Sequence, residues 1–182
     1  MSPAGAKRPR KPAVSPPEAT PQSLPMTPPA AADLVAHIDG GARGNPGPAG
    51  YGVSVTDPAG AVIAEMYGYL GIATNNTAEY AALLALLEYA RRTGASSLSV
   101  RSDSELLVKQ MLGAYRVKDP KLRILHAEAR RLAAALPHVE FRHVRREQNR
   151  EADALANRAM DLRGSTGPLP RALARLPRPS AI

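Results

Sequence analysis

The fold of this chain is constrained most by residues 37–52, H-I-D-G-G-A-R-G-N-P-G-P-A-G-Y-G. A short apolar run, residues 34–38, delivers one carboxylate, Asp39. Gly40, Gly41, Gly44, Gly47 and Gly50 follow, with Pro46 and Pro48 among them. Glycine reaches backbone angles that a Cβ forbids, and proline fixes φ. The pattern predicts a strand ending at Asp39 and a tight turn directly after it, with the acid at the sheet edge. Taken alone, an Asp before Gly is ordinary turn chemistry. Its meaning depends on three acids further along.

The rest of the chain supplies the elements around that strand. Residues 34–39, 51–56 and 61–70 read as strands, the last two joined by the turn Asp57-Pro58-Ala59-Gly60. Short links between three successive strands imply an antiparallel meander. The period then changes. Asn76 with Glu79 resembles a capping box, Tyr80, Leu83, Leu84 and Leu87 recur at helical spacing, and Gly94 stops the helix. A strand over 98–102 ends at Asp103, a short helix covers 104–112, and a basic link at 115–121 precedes a helix over 122–135. A strand over 138–144 places Val139, Phe141 and His143 on one face, and Asn149 caps a last helix over 151–162.

Residues 1–33 are rich in Pro, Ala and Ser, with a basic knot at Lys7, Arg8, Arg10 and Lys11. Such a segment buries too little apolar surface to offset its ordering entropy, so it reads as a disordered tail. Residues 164–182 read as a second flexible tail, leaving one domain over 34–163. The chain has no cysteine, which excludes disulfides and thiolate metal sites. Its formal net charge of +8 favours a polyanionic partner, nucleic acid first. No apolar run approaches the length of a membrane span, and no signal peptide is evident. A cytoplasmic monomer is the expectation.

Helical crossovers join parallel strands in a right-handed sense. An α/β fold follows, with a five-stranded mixed sheet in the order 3-2-1-4-5 flanked by helices. The first strand is then a switch point, where open sheets bind ligands beyond the carboxyl ends of their strands. Asp39 and Asp103 both end strands, while Glu79 and Asp153 fall in the first turns of helices. Each acid has a plain use by itself, as a turn residue, a cap or a partner of the helix dipole. Together they would repel one another unless a divalent cation compensates. All-oxygen ligands select Mg²⁺ or Mn²⁺ over zinc, and two such ions about 4 Å apart suit in-line displacement at phosphorus.

Four motifs resemble, in order, the signatures of type 1 ribonuclease H: D-G-G-A-R-G-N-P-G-P-A-G, T-N-N-T-A-E, S-D-S-E-L-L-V-K-Q and R-E-Q-N-R-E-A-D-A-L-A-N. The resemblance spans residues 34–162. It implies the ribonuclease H-like fold and a metal-dependent endonuclease that cuts the RNA strand of RNA–DNA hybrids. In that family the products carry a 5′-phosphate and a 3′-hydroxyl. By motif position, Asp39, Glu79, Asp103 and Asp153 are the catalytic, metal-binding acids, holding two Mg²⁺ or Mn²⁺ ions with substrate bound. Asn45, Asn75 and Asn76 match minor-groove readers, Thr74 a residue that holds a DNA phosphate, and Asn149 an asparagine near the scissile bond. The chain departs from the best-known bacterial pattern in two places. The link Gly113-Ala114-Tyr115-Arg116-Val117-Lys118-Asp119-Pro120-Lys121 stands where a long basic handle would be. The loop before the last acid offers Arg146 or Glu147, for product release or phosphate contact, in place of the usual histidine; His143 reads as structural. A non-catalytic binding module on the same fold, and a related nuclease that also cuts double-stranded RNA, stay open as alternatives.

Overall fold

The computed structural model describes residues 31–177; the basic knot and the proposed N-terminal tail through residue 30 lie outside them. Five strands, β1 (Asp33–Ala42), β2 (Gly47–Thr56), β3 (Val62–Ala73), β4 (Ser97–Ser102) and β5 (Val139–His143), form one sheet in the order β3-β2-β1-β4-β5. β1 pairs antiparallel with β2 and parallel with β4, and β4 pairs parallel with β5, as the crossover argument requires.

Four helices cover the sheet: α1 (Asn75–Thr93), α2 (Glu105–Met111), α3 (Pro120–Ala134) and α4 (Arg150–Leu162). α1 lies between β1 and α3. Every residue from Ala78 to Leu87 is buried, because A-E-Y-A-A-L-L-A-L-L is apolar on all sides apart from Glu79. α4 lies on the other face, across β1, β2 and β3. Asp119 caps α3 by accepting from Lys121 N at 2.7 Å and Leu122 N at 3.0 Å, with Pro120 at the position where a missing N–H costs nothing.

Several boundaries differ from the sequence reading: β2 begins at Gly47 rather than residue 51, and β3 runs to Ala73 rather than residue 70. β1 does not stop at Asp39 but runs on to Ala42, and the reversal occupies 43–46 with Gly44 at φ 90°. The glycines of 40–52 serve close packing within paired strands more than turning. Residues 164–177 are not a loose tail. Tyr69 N donates to Gly164 O at 3.1 Å and Thr166 N to Tyr67 O at 3.0 Å, which covers the free edge of β3. A short 3-10 turn, Arg171–Arg175, then lies on α3, with Ala172 only 1% exposed. A polar, proline-containing composition hides such a segment, because backbone hydrogen bonds and one small apolar side chain hold it. Residues 178–182 lie outside the described residues.

Candidate active site

Parallel pairing of β1 with β4 continues to Ile38 opposite Ser102. Asp39, within β1, and Asp103, directly after β4, are therefore the next positions beyond the carboxyl end of that parallel pairing. Glu79 arrives from α1, in its second turn rather than its first. Its approach depends on Gly40, where a Cβ would meet Ala78 C at 2.2 Å and Glu79 N at 2.3 Å. Asp153, in the first turn of α4, depends on Gly52, where a Cβ would meet Ala152 O at 2.3 Å. Glycine is the only residue that lets two helix backbones come this close to β1 and β2.

Asp39, Glu79 and Asp103 each offer a carboxylate oxygen, all within 4.8 Å of one another. Asp153 lies within hydrogen-bond reach of Asp39. All four line one open cleft of about 440 Å³. Burial, and then the charges of Asp103 and Asp153, push the Asp39 carboxyl up to about 8. Burial raises Glu79 well above the usual carboxylate range, reinforced by Asp39 and Asp103, although the Gly40 N–H opposes the shift. Glu79 Oε2 is buried and has no partner among the described residues. A crowded all-oxygen donor set with an orphaned oxygen suits a hard divalent cation.

This crowding has a thermodynamic signature. A carboxyl raised to about 8 keeps a proton that the unfolded chain releases near pH 4. The metal-free fold is therefore most favoured below pH 4 on this account, and that contribution is lost as pH rises through 8. A bound cation removes the repulsion. Mg²⁺ at millimolar concentration is expected to raise Tm by about 3–6 °C near pH 8.5 and far less near pH 5. Equal shifts at both pH values in thermal melts would show that the ion acts elsewhere.

The asparagines form a second layer. Asn75 Oδ1 accepts from Ala42 N at 2.6 Å, and Asn45 Oδ1 accepts from Asn75 N at 3.2 Å. Both carbonyl ends are thus tied to backbone, which leaves the amide N–H groups as the ends available to a ligand. Asn75 and Asn76 line the cleft; Asn45 lies outside the lining, bonded to Asn75. Thr74, rather than Asn76, caps α1, accepting from Thr77 N at 3.2 Å. Asn149 precedes α4 as expected, but its side chain caps nothing. It is fully buried and donates to Ile38 O at 2.9 Å and, at 3.4 Å, to Asp103 Oδ1, tying the ends of β1 and β4 together. Arg146 lines the cleft, whereas Glu147 sits exposed on the same 3-10 turn, outside the lining. His143 lies exposed at the end of β5, its Nε2 3.2 Å from the Asp103 carbonyl oxygen.

The sequence reading missed Arg43 and Asn157, both in the cleft wall. Arg43 is held by Asp161 of α4 at 2.6 Å, and Asn157 donates to Asp153 O at 3.0 Å. Asn157 was findable, since it stands one helical turn after Asp153 on the same face.

Sheet order, helix placement and the converging acids together define a ribonuclease H-like fold with an acidic centre at its switch point. A family described as reverse transcriptase-like matches residues 37–159. The chain is 46% identical over 129 residues to the bifunctional protein Rv2228c of Mycobacterium tuberculosis, an overlap of 70% of this chain and 35% of that protein. It is 44% identical over 126 residues to ribonuclease HI of Halobacterium salinarum, covering 69% of this chain and 63% of that one. The chain thus spans about a third of the mycobacterial relative. Among solved structures, the N-terminal RNase H domain of Rv2228c superposes with TM-score 0.70 at 44% identity, over 72% of this chain and 96% of that domain. RNase H1 of Halobacterium salinarum gives 0.69 at 43%, over 71% and 98%. LC11-RNase H1 in complex with an RNA/DNA hybrid gives 0.69 at 43%, over 72% and 99%. The chain belongs to the type 1 ribonuclease H family.

Proposed function

We propose that this chain hydrolyses the RNA strand of RNA–DNA hybrids, leaving a 5′-phosphate and a 3′-hydroxyl. The observation that carries the reading is the convergence of Asp39, Glu79, Asp103 and Asp153 in one cleft beside Asn75 and Asn76. Asp39, Glu79, Asp103 and Asp153 would hold divalent cations, two Mg²⁺ or Mn²⁺ ions with substrate in place. When bound, such ions supply charge compensation and water activation for displacement at phosphorus. The protein's own part is positioning. Asn149 holds Asp103 against the end of β1. Asn75 and Asn76 offer amide donors to 2′-hydroxyls and minor-groove base edges, which separates an RNA strand from DNA. Arg146, at the rim, faces a phosphate of the bound or released strand, and Thr74 at the start of α1 takes a phosphate of the DNA strand. Glu147 is a weaker candidate for product release, since it is exposed outside the lining.

The short link between α2 and α3 provides a small duplex contact in place of a long handle. Lys109 Nζ sits 4.9 Å from the centroid of the Tyr115 ring, and Arg116, Lys118 and Lys121 extend the basic surface. The deciding experiment compares end-labelled RNA–DNA hybrid, double-stranded RNA and double-stranded DNA with Mg²⁺ or Mn²⁺. Hybrid is expected to be cut about 10⁴-fold faster than DNA duplex or more, the scale on which a site built to hydrogen-bond a hydroxyl rejects a substrate lacking it. Double-stranded RNA, which also presents 2′-hydroxyls, measures how far the DNA strand is read. Tight hybrid binding without any cleavage would instead identify a binding module.

A further inference from the structure

A groove of about 370 Å³ opens at the other end of α1, between its last turns, α3 and the C-terminal 3-10 turn. It is lined by Arg91, Arg92, Arg131 and Arg171 with Glu88, Glu128 and Leu132. Its two acids are already engaged. Glu128 is buried and pairs with Arg131 at 2.6 Å and Arg175 at 3.5 Å, and those partners hold its carboxyl below the usual range. Glu88 Oε1 accepts from Arg171 N at 3.1 Å. Both acids therefore serve to anchor the segment 171–175. The guanidinium groups of Arg91, Arg92 and Arg171 remain exposed and have no carboxylate partner among the described residues. Arg92 lies 5.7 Å over the ring of Tyr89, which packs against the core, so the side chain is steadied at the groove's edge.

The geometry points to a second nucleic-acid contact at this groove, in which Arg91, Arg92 and Arg171 hold backbone phosphates of a strand leaving the hybrid in the cleft. Arginine forks match phosphate oxygens in two-point contacts. Arg91 lies twelve residues beyond Glu79 in α1, about 18 Å along the helix axis. A few nucleotides of single strand span that distance. The choice of nucleic acid as partner rests on the hybrid-nuclease reading; the binding arm of the test does not need cleavage.

The test uses the full chain with Arg91→Gln and Arg92→Gln together, both exposed positions. Binding of a fluorescent single strand of about 15 nucleotides is followed by anisotropy without metal as salt is varied. Loss of two phosphate contacts lowers the slope of log affinity against log salt by about 1.4, with affinity down several-fold at low salt. Cleavage of a blunt hybrid keeps its kcat and KM, while a hybrid with a single-stranded tail loses the lower KM that the tail confers. The proposal is overturned by an unchanged salt slope. It is overturned as well by an equal rise in KM for blunt and tailed hybrid, or by polyglutamate binding the parent as tightly as the oligonucleotide.

Discussion

Asp39→Asn is expected to remove hybrid cleavage by about 10³-fold or more while leaving the metal-free protein at least as stable as its parent. The two effects come from the same crowding. Asp39 is only 9% exposed, and burial with two neighbouring acids lifts its carboxyl to about 8. The amide is neutral at every pH and nearly the same shape. Below about pH 4 the parent's carboxyl is protonated in both folded and unfolded chains, so parent and variant melts should nearly coincide. As pH rises from about 4 through 8 the unfolded parent releases a proton that the folded parent keeps, and the variant avoids that loss. The gap in its favour should grow to the order of a few kcal/mol by pH 9. The variant should also lose the Mg²⁺-dependent rise in Tm, because one anionic oxygen ligand is gone. Single-turnover cleavage of labelled hybrid, run beside melts at several pH values, reads both halves. Undiminished cleavage would sink the site assignment. A variant markedly less stable at pH 9 would mean that Asp39 is structural.

Much of this site was legible because it is written in residue types that few structures require together. The placing of Asp39 and Asp103 side by side follows from hydrophobic runs and parallel pairing through helical crossovers, although β1 runs on past Asp39 to Ala42. Other features were invisible for physical reasons. Glu79 reads as a dipole partner in a first turn, yet the true cap, Thr74, starts the helix two residues earlier than an Asn76 cap would, so the acid falls in a buried second turn. Burial there comes from α1 packing on β1, with Gly40 against Ala78 and Glu79, a long-range fact that local periodicity does not contain. Asn149 stands just before a helix, and any pattern would make it a cap. Its actual bonds reach Ile38 and Asp103, 111 and 46 residues away in the chain. The segment after Gly164 escaped notice because it is held through backbone pairing with β3 rather than by an apolar stripe.

Gly52→Ala tests whether the glycines are there for reach rather than for turning. Gly52 sits within β2, opposite Asp39 of β1, and has no positive φ. A turn requirement therefore does not explain it. A methyl group there would meet Ala152 O at 2.3 Å, Ala156 N at 2.6 Å and Leu155 Cβ at 2.6 Å. Two of those three atoms are helix backbone, so no side-chain rotation relieves the clash. α4 must move outward, and Asp153 in its first turn moves with it. Overpacking of this kind costs about 1–3 kcal/mol or more, visible as a lower midpoint in urea. The stronger expectation concerns activity, since displacement of about 1 Å at a positioned group costs roughly 10²-fold. Cleavage should fall by that order in the fraction that stays folded, with Mn²⁺ affinity falling in parallel. Gly167→Ala is the control, because nothing lies within 4 Å of its Cβ position and its φ is ordinary; it should match the parent in both measurements. If Gly52→Ala melts early yet cleaves normally per folded molecule, then α4 tolerates the shift, and Asp153 is not positioned by the close approach of α4 to Gly52.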